Sequence, residues 1–211
     1  MTQVADRLDT AVIGVAEVTS LEGLSAINQP DCAAAVFRRQ KSDQFASWIA
    51  ALEPSQLPNA RVVLRPNKVR NALKRLCEIA KTPACTERDA FIEDVTKLAT
   101  SFARTMNAPY VRFRLDVVTT NACRKFHIDA LTARLICTYR GTGTQYGTAT
   151  DNSDPERIVT MPTGSPIVLR GTRWPENPAS KLLHRSPPIE GTGASRLVLV
   201  LDPVYEDDVA N

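Results

Sequence analysis

A chain of 211 residues with 43% hydrophobic side chains is long enough to bury one sizeable core, or a barrel with helices packed beside it. Its 26 basic and 23 acidic side chains are spread along the whole length and leave a net charge of +3, so composition offers no basic face for nucleic acid. Five cysteines, at positions 32, 77, 85, 123 and 137, form no C-x-x-C pair, which argues against a disulfide framework or a thiolate zinc knuckle.

Residues 1–21 carry Asp6, Asp9 and Glu17 and lack a basic segment followed by a long apolar one, so they do not read as a secretory signal. Apolar runs such as residues 197–201 fall far short of the roughly 20 residues that a spanning helix needs. A cytoplasmic protein without membrane contact is expected.

The first hundred residues read mainly as helix. Residues 42–52 form a short helix ending before Pro54, and residues 60–64 read as a strand. Asn67 is the expected cap of a helix with Val69, Ala72, Leu73, Leu76, Cys77 and Ala80 on one face. Thr86 and Asp89 open the clearest helix, in which Phe91, Ile92, Val95, Leu98, Ala99, Phe102 and Met106 recur at three- and four-residue intervals. That stripe must pack on something, and the strands that follow are the available surface.

Near Pro109 the period changes to two. Val111, Phe113, Leu115 and Val117 alternate with Arg112, Arg114 and Asp116, as a strand with one buried face requires. Further strands are expected at residues 125–129, 133–139, 157–161, 166–170, 181–185 and 196–201, with Gly- and Pro-rich turns at 140–147 and 172–179. The expected fold is α+β in one domain over residues 1–211: a helical layer over 1–108 packed on a sandwich or jelly-roll barrel over 109–203.

The chain's two histidines both fall in strand-like segments of the second half. In Phe126-His127-Ile128-Asp129, side chains two apart on a strand share a face, so the imidazole and the carboxylate can converge on one ion. His184 lies 57 residues further on, a separation that a barrel closes by setting its strand beside the first. Two histidines and one carboxylate that leave other positions open form the facial arrangement of non-haem iron(II) oxygenases. Arg196 begins an apolar strand, and its planar fork suits a carboxylate. A 2-oxo dicarboxylic acid could then chelate the metal at one end and pair with Arg196 at the other. Cys123 and Cys137 flank the metal candidates.

The G-x-G of residues 141–143 lacks the third glycine and the strand-to-helix context of a dinucleotide site and reads as a rim loop. Ser186 follows His184 closely, yet no G-x-S-x-G elbow surrounds it, so a hydrolase is disfavoured.

In order along the chain, His127-x-Asp129, the run Gly164-Ser165-Pro166-Ile167-Val168-Leu169-Arg170-Gly171, His184 with Pro187-Pro188 and Gly193, and Arg196 resemble the barrel core of the Fe(II)/2-oxoglutarate-dependent dioxygenase superfamily. The segments 123–146 and 184–203, with KFHIDALTARLICTYRGTGTQY and HRSPP, also resemble the bacterial family called domain of unknown function 1826, which supplies no activity. The superfamily resemblance implies a double-stranded β-helix, cupin-like in shape, and an oxygenase that hydroxylates or demethylates its substrate. It implies His127, Asp129 and His184 as the catalytic iron ligands and Arg196 as the anchor for the C5 carboxylate of 2-oxoglutarate. Tyr139 and Thr138 would be further contacts to that small-molecule co-substrate. Ser165 departs from the pattern, in which an acidic residue is frequent there, and leaves the subgroup open. The alternative is a cupin-like protein that binds zinc or another divalent ion without redox chemistry, for metal handling or small-molecule binding. Rim loops at 140–156 and 172–180 are the expected determinants of substrate choice.

Overall fold

The computed structural model describes residues 13–149, 153–175 and 179–209. The N-terminal half contributes strands β1 (Gly14–Val18), β2 (Cys32–Phe37) and β3 (Ala60–Leu64), and helices α1 (Asp43–Ala51), α2 (Val69–Ile79) and α3 (Thr86–Thr105). The rest is β4 (Tyr110–Val118), β5 (Ala133–Arg140), β6 (Gln145–Thr148), β7 (Val159–Thr160), β8 (Ile167–Arg170), β9 (Leu182–Arg185), β10 (Arg196–Val204) and the short α4 (Glu206–Val209). No helix among the described residues is long and apolar enough to cross a membrane.

The early helices start and stop as local chemistry dictates. Ser42 caps α1 by accepting from the Phe45 amide at 3.2 Å. Asn67 does not cap α2, because Pro66 presets a 3-10 turn over Pro66–Lys68 and the helix begins only at Val69. The α3 stripe is buried, with Phe91, Ile92, Val95, Leu98, Ala99 and Phe102 all at 2% exposure or less. Burying each large side chain of this set contributes about 1.5–3 kcal/mol.

The first hundred residues are less helical than their composition suggests. The run Cys-Ala-Ala-Ala-Val-Phe has weak strand propensity, yet it forms β2 because small side chains let both of its faces be covered. β2 pairs in parallel with β1 and antiparallel with β8, so the N-terminal half completes the sheet of the second half.

Seven strands form one sheet in the order β1-β2-β8-β5-β10-β4-β3, and β7-β6-β9 form a second. Alternation along β5 and β10 separates two cores. Leu135, Cys137, Tyr139, Leu197, Leu199 and Leu201 face the helical layer, while Ile136, Val198 and Val200 meet Tyr146, Met161 and Leu182 between the sheets. The two sheets stay separate rather than closing into a barrel. β4 carries β3 on its outer side, which extends the large sheet instead of wrapping it onto the small one.

Candidate metal centre

His184 lies on β9 with its side chain 6% exposed, opposite a segment that the alternating pattern marks as a strand but that makes only one bridge. His127 and His184 exchange both backbone hydrogen bonds, at 3.1 and 3.0 Å, which sets their rings side by side with centroids 4.5 Å apart. Asp129 lies two residues on. One ligand atom from each of His127, Asp129 and His184 falls within 4.8 Å of the others. Asp129 Oδ2 is 3.1 Å from His184 Nε2, and Asp129 Oδ1 is 3.6 Å from His127 Nε2. Neighbouring ligands on a first-row ion with bonds of about 2.1 Å stand roughly 3.0 to 3.4 Å apart, so the His184–Asp129 spacing matches that of two ligands on one ion and the His127–Asp129 spacing is slightly wider.

Three further features prepare the set. His127 Nδ1 lies 2.9 Å from the Lys125 carbonyl, which makes Nδ1 the donor nitrogen and frees Nε2 for a metal. Asp129 Oδ2 is buried and, with His184 Nε2 3.1 Å away but outside hydrogen-bonding geometry, is left without a donor, an arrangement that costs energy unless a cation or proton meets it. Burial pushes the His184 imidazolium pKa down against the pull of Asp129, favouring the neutral ring that ligates metal. Burial also works against the Asp129 charge, but both imidazoles and Arg134 outweigh it and hold the carboxyl well below the usual range. The donor set and the orphaned oxygen therefore fit a divalent metal.

Arg134 is the positioning residue that sequence reading missed. From β5 it donates to Asp129 Oδ1 at 2.5 Å and grips Asp202 of β10 at 2.7 and 2.9 Å, tying the metal candidate to the sheet. The segment after Asp129 is held from the other side. Thr172 N donates to Asp129 O at 2.9 Å, and Gly171 N donates to Thr132 O at 2.8 Å. A Cβ on Gly171 would stand 1.9 Å from Leu131 O and 2.7 Å from Asp129 O, closer than real contacts allow. Gly171→Ala is therefore expected to displace Asp129 and lower Fe(II) affinity at least tenfold, read by metal titration; unchanged affinity would show that this close approach is unimportant.

Arg196 lies at one end of the same cavity, 1% exposed. Its Nε donates to Thr142 O at 2.7 Å, and its two Nη atoms reach Ser186 Oγ at 3.2 Å and Thr138 Oγ1 at 3.3 Å. All three acceptors are neutral, and no carboxylate pairs with it among the described residues. Burial alone pulls its pKa down to about 10. Gly141, at φ +79°, lets the chain pass over this side chain, since a Cβ there would meet Arg196 Cγ at 2.9 Å.

Thr138 thus sits beside Arg196, but Tyr139 points to the opposite face of β5. Its hydroxyl donates to Asp94 of α3 at 2.5 Å, within a buried cluster in which Arg39 clamps Asp94 at 2.6 and 2.7 Å and Lys41 reaches it at 2.8 Å. Period two explains the separation, since neighbours on a strand cannot both face the cavity. Ser165 belongs to that region as well, bonding Arg39 N and Arg39 O. Cys137 lies in the helix-facing core, where burial pushes its thiol up to about 12, while Cys123 lines the cavity next to His127. The cavity holds about 130 Å³, and apolar walls come from Val118, Ile136, Val198 and Val200. Of the rim loops, residues 150–152 and 176–178 lie outside the described residues, as do residues 1–12 of the N-terminal segment.

Comparison with known proteins places this geometry in context. The model of the family described as "Protein of unknown function (DUF1826)" matches residues 19–202. No curated protein matches the sequence. Among solved structures, the dioxygenase for auxin oxidation from rice superposes with a TM-score of 0.52 at 13% identity, covering 93% of this chain and 84% of that one. A 2OG-Fe(II) oxygenase family oxidoreductase from Burkholderia pseudomallei gives 0.42 at 10% identity, covering 90% and 94%. The Arabidopsis thaliana dioxygenase for auxin oxidation 1, solved with 2-oxoglutarate, gives 0.45 at 11%, covering 92% of each. At such identities the rice likeness is one of fold.

Proposed function

We propose that this chain, which belongs to the DUF1826 family, is an iron(II)- and 2-oxoglutarate-dependent oxygenase of double-stranded β-helix type acting as one unit. The observation that carries this reading is that a His-Asp-His set with an orphaned carboxylate oxygen, whose two histidines line a cavity, shares that cavity with a buried arginine that has no counter-charge among the described residues. His127, Asp129 and His184 would hold iron(II), and Arg196 with Thr138 and Ser186 would take the distal carboxylate of 2-oxoglutarate. Iron(II) held there would supply the coupling between oxidative decarboxylation of 2-oxoglutarate by dioxygen, to succinate and carbon dioxide, and transfer of the second oxygen atom to a substrate C–H bond. A hydroxylated N-methyl or O-methyl group would then leave as formaldehyde, giving demethylation.

The chain's own residues orient and shield. Lys125 O fixes the His127 tautomer, Arg134 steers one Asp129 oxygen away from protonation, and the apolar walls limit water around the reacting centre. A zinc-binding protein without redox chemistry would have no use for the buried guanidinium, so nothing in the described site favours that alternative.

Anaerobic addition of Fe(II) and 2-oxoglutarate should produce a visible charge-transfer band, and admission of air should release succinate without added substrate. A fully metal-loaded sample that shows neither would overturn the proposal.

A further inference from the structure

Arg114 projects from β4 into the cavity that His127, His184 and Arg196 line. Its side chain is half-buried, and its Nε is shielded from solvent without any acceptor. The neighbouring acids are already engaged. Arg61 on β3 takes both oxygens of Asp116 at 3.0 and 3.2 Å, and Arg134 takes both oxygens of Asp202. Among the described residues Arg114 makes neither a hydrogen bond nor an ion pair. Burial, followed by the like charge of Arg134, depresses its pKa, and the nearby carboxylates of Asp202 and Asp116 only partly offset this. An unpaired, partly desolvated guanidinium facing a cavity is stabilised by an incoming anion.

That anion is not the one that Arg196 is built to take. Arg114 stands opposite Val200 on β10, four residues along the strand from Arg196 and one strand across. At the usual rise and strand spacing these positions are about 14 Å apart, so they serve opposite ends of the cavity. Charge counting agrees. On the reading above, the two positive charges of the metal and the one of Arg196 are balanced by Asp129 and the two carboxylates of 2-oxoglutarate. Arg185, which also lines the cavity, is taken up by Gln145 at 2.8 Å and by the face of the Phe126 ring, which leaves Arg114 as the guanidinium without a partner among the described residues. The apolar walls of the cavity that Arg114 shares with the metal candidates are Val118, Ile136, Val198 and Val200, which suit hydrocarbon.

We propose that Arg114 recognises a carboxylate on the substrate, so that the molecule oxidised is a small monocarboxylic acid with an apolar body turned toward the metal. This inference rests on the oxygenase reading and deepens it. Arg114 would anchor and orient the substrate without touching the reacting atoms, and Arg61 with Asp116 would form the wall beside it.

The test uses the full chain loaded anaerobically with Fe(II) and saturating 2-oxoglutarate, so that Arg196 is occupied. Benzoate and butyrate are titrated by calorimetry, with benzamide as the uncharged analogue. Both carboxylates should bind and benzamide should not. Arg114→Gln should weaken carboxylate binding about tenfold or more, the loss expected for one charge-assisted contact. Arg112→Gln, which removes the same charge from an exposed position on β4, should leave it unchanged. The charge-transfer band in the same samples reports metal and co-substrate independently. With the band present, failure of wild type to bind benzoate, equal affinity in Arg114→Gln, or equal binding of benzamide overturns the inference and leaves the oxygenase reading standing. Absence of the band removes both.

Discussion

His184→Ala should abolish metal retention while leaving the fold intact. The side chain is 6% exposed, and on the proposed reading its Nε2 would supply one of the three donors, so a metal ion would be left with His127 and Asp129 alone. Disturbing the supports of a metal ligand already costs about 10- to 100-fold in affinity, and deleting the ligand itself should cost at least a hundredfold. The backbone pairing of residues 127 and 184 does not involve the side chain, and β9 keeps its ladder to β6, so destabilisation should stay near the 1–3 kcal/mol typical of a polar group lost from a packed site. Metal content of protein purified without chelators, set beside a thermal melt, separates the two effects. Full metal stoichiometry in this variant would exclude His184 as a ligand and with it the oxygenase. His127→Ala should follow the same course in metal binding with a smaller structural cost, because that side chain is 33% exposed.

Arg196→Met should separate co-substrate binding from metal binding. The variant keeps most of the aliphatic stem and removes a charge that is 1% exposed and faces only neutral acceptors. Holding an uncompensated cation in that place destabilises the ligand-free protein, so relief of that strain should roughly offset the three lost hydrogen bonds. The expected outcome is unfolding within about 1 kcal/mol of wild type, unchanged Fe(II) affinity, and a loss of 2-oxoglutarate affinity of about a hundredfold, as when a desolvated charge pair loses one member. In wild type 2-oxoglutarate should raise the melting temperature by mass action, and in the variant it should not. If 2-oxoglutarate stabilised both equally, Arg196 would have only a packing role. A metal-handling protein would be indifferent to the change.

Much of the architecture is legible locally. The α3 stripe, the alternation of β4 and the apolar run of β10 each declare a buried face, because helices and strands repeat at 3.6 and 2 residues and burial follows the repeat. β2 is not legible in that way. Its three alanines carry no strand signal, and only coverage of both faces, by residues such as Ile27 of the 3-10 turn Glu22–Asn28 on one side and the inter-sheet core on the other, makes the extended form favourable. The assignment of Tyr139 to the co-substrate fails on a simple parity: Thr138 shares a face with Arg196, so its neighbour must turn to Asp94 and the helices.

By itself the chain order determined which residues could ligate a metal, since two histidines, an H-x-D spacing and an arginine heading an apolar strand are chemical facts of the sequence. Tertiary structure decided what supports and completes them. Arg134 grips Asp202 from 68 residues away, Gly171 passes close against Leu131 and Asp129, and Arg114 stays unpaired because Arg61 and Arg134 have taken the nearby acids, none of which local patterns encode. The physical reason is that ligand identity is a property of a side chain, whereas burial, counter-charge and close backbone approach are properties of a place, and places exist only after the sheets have packed.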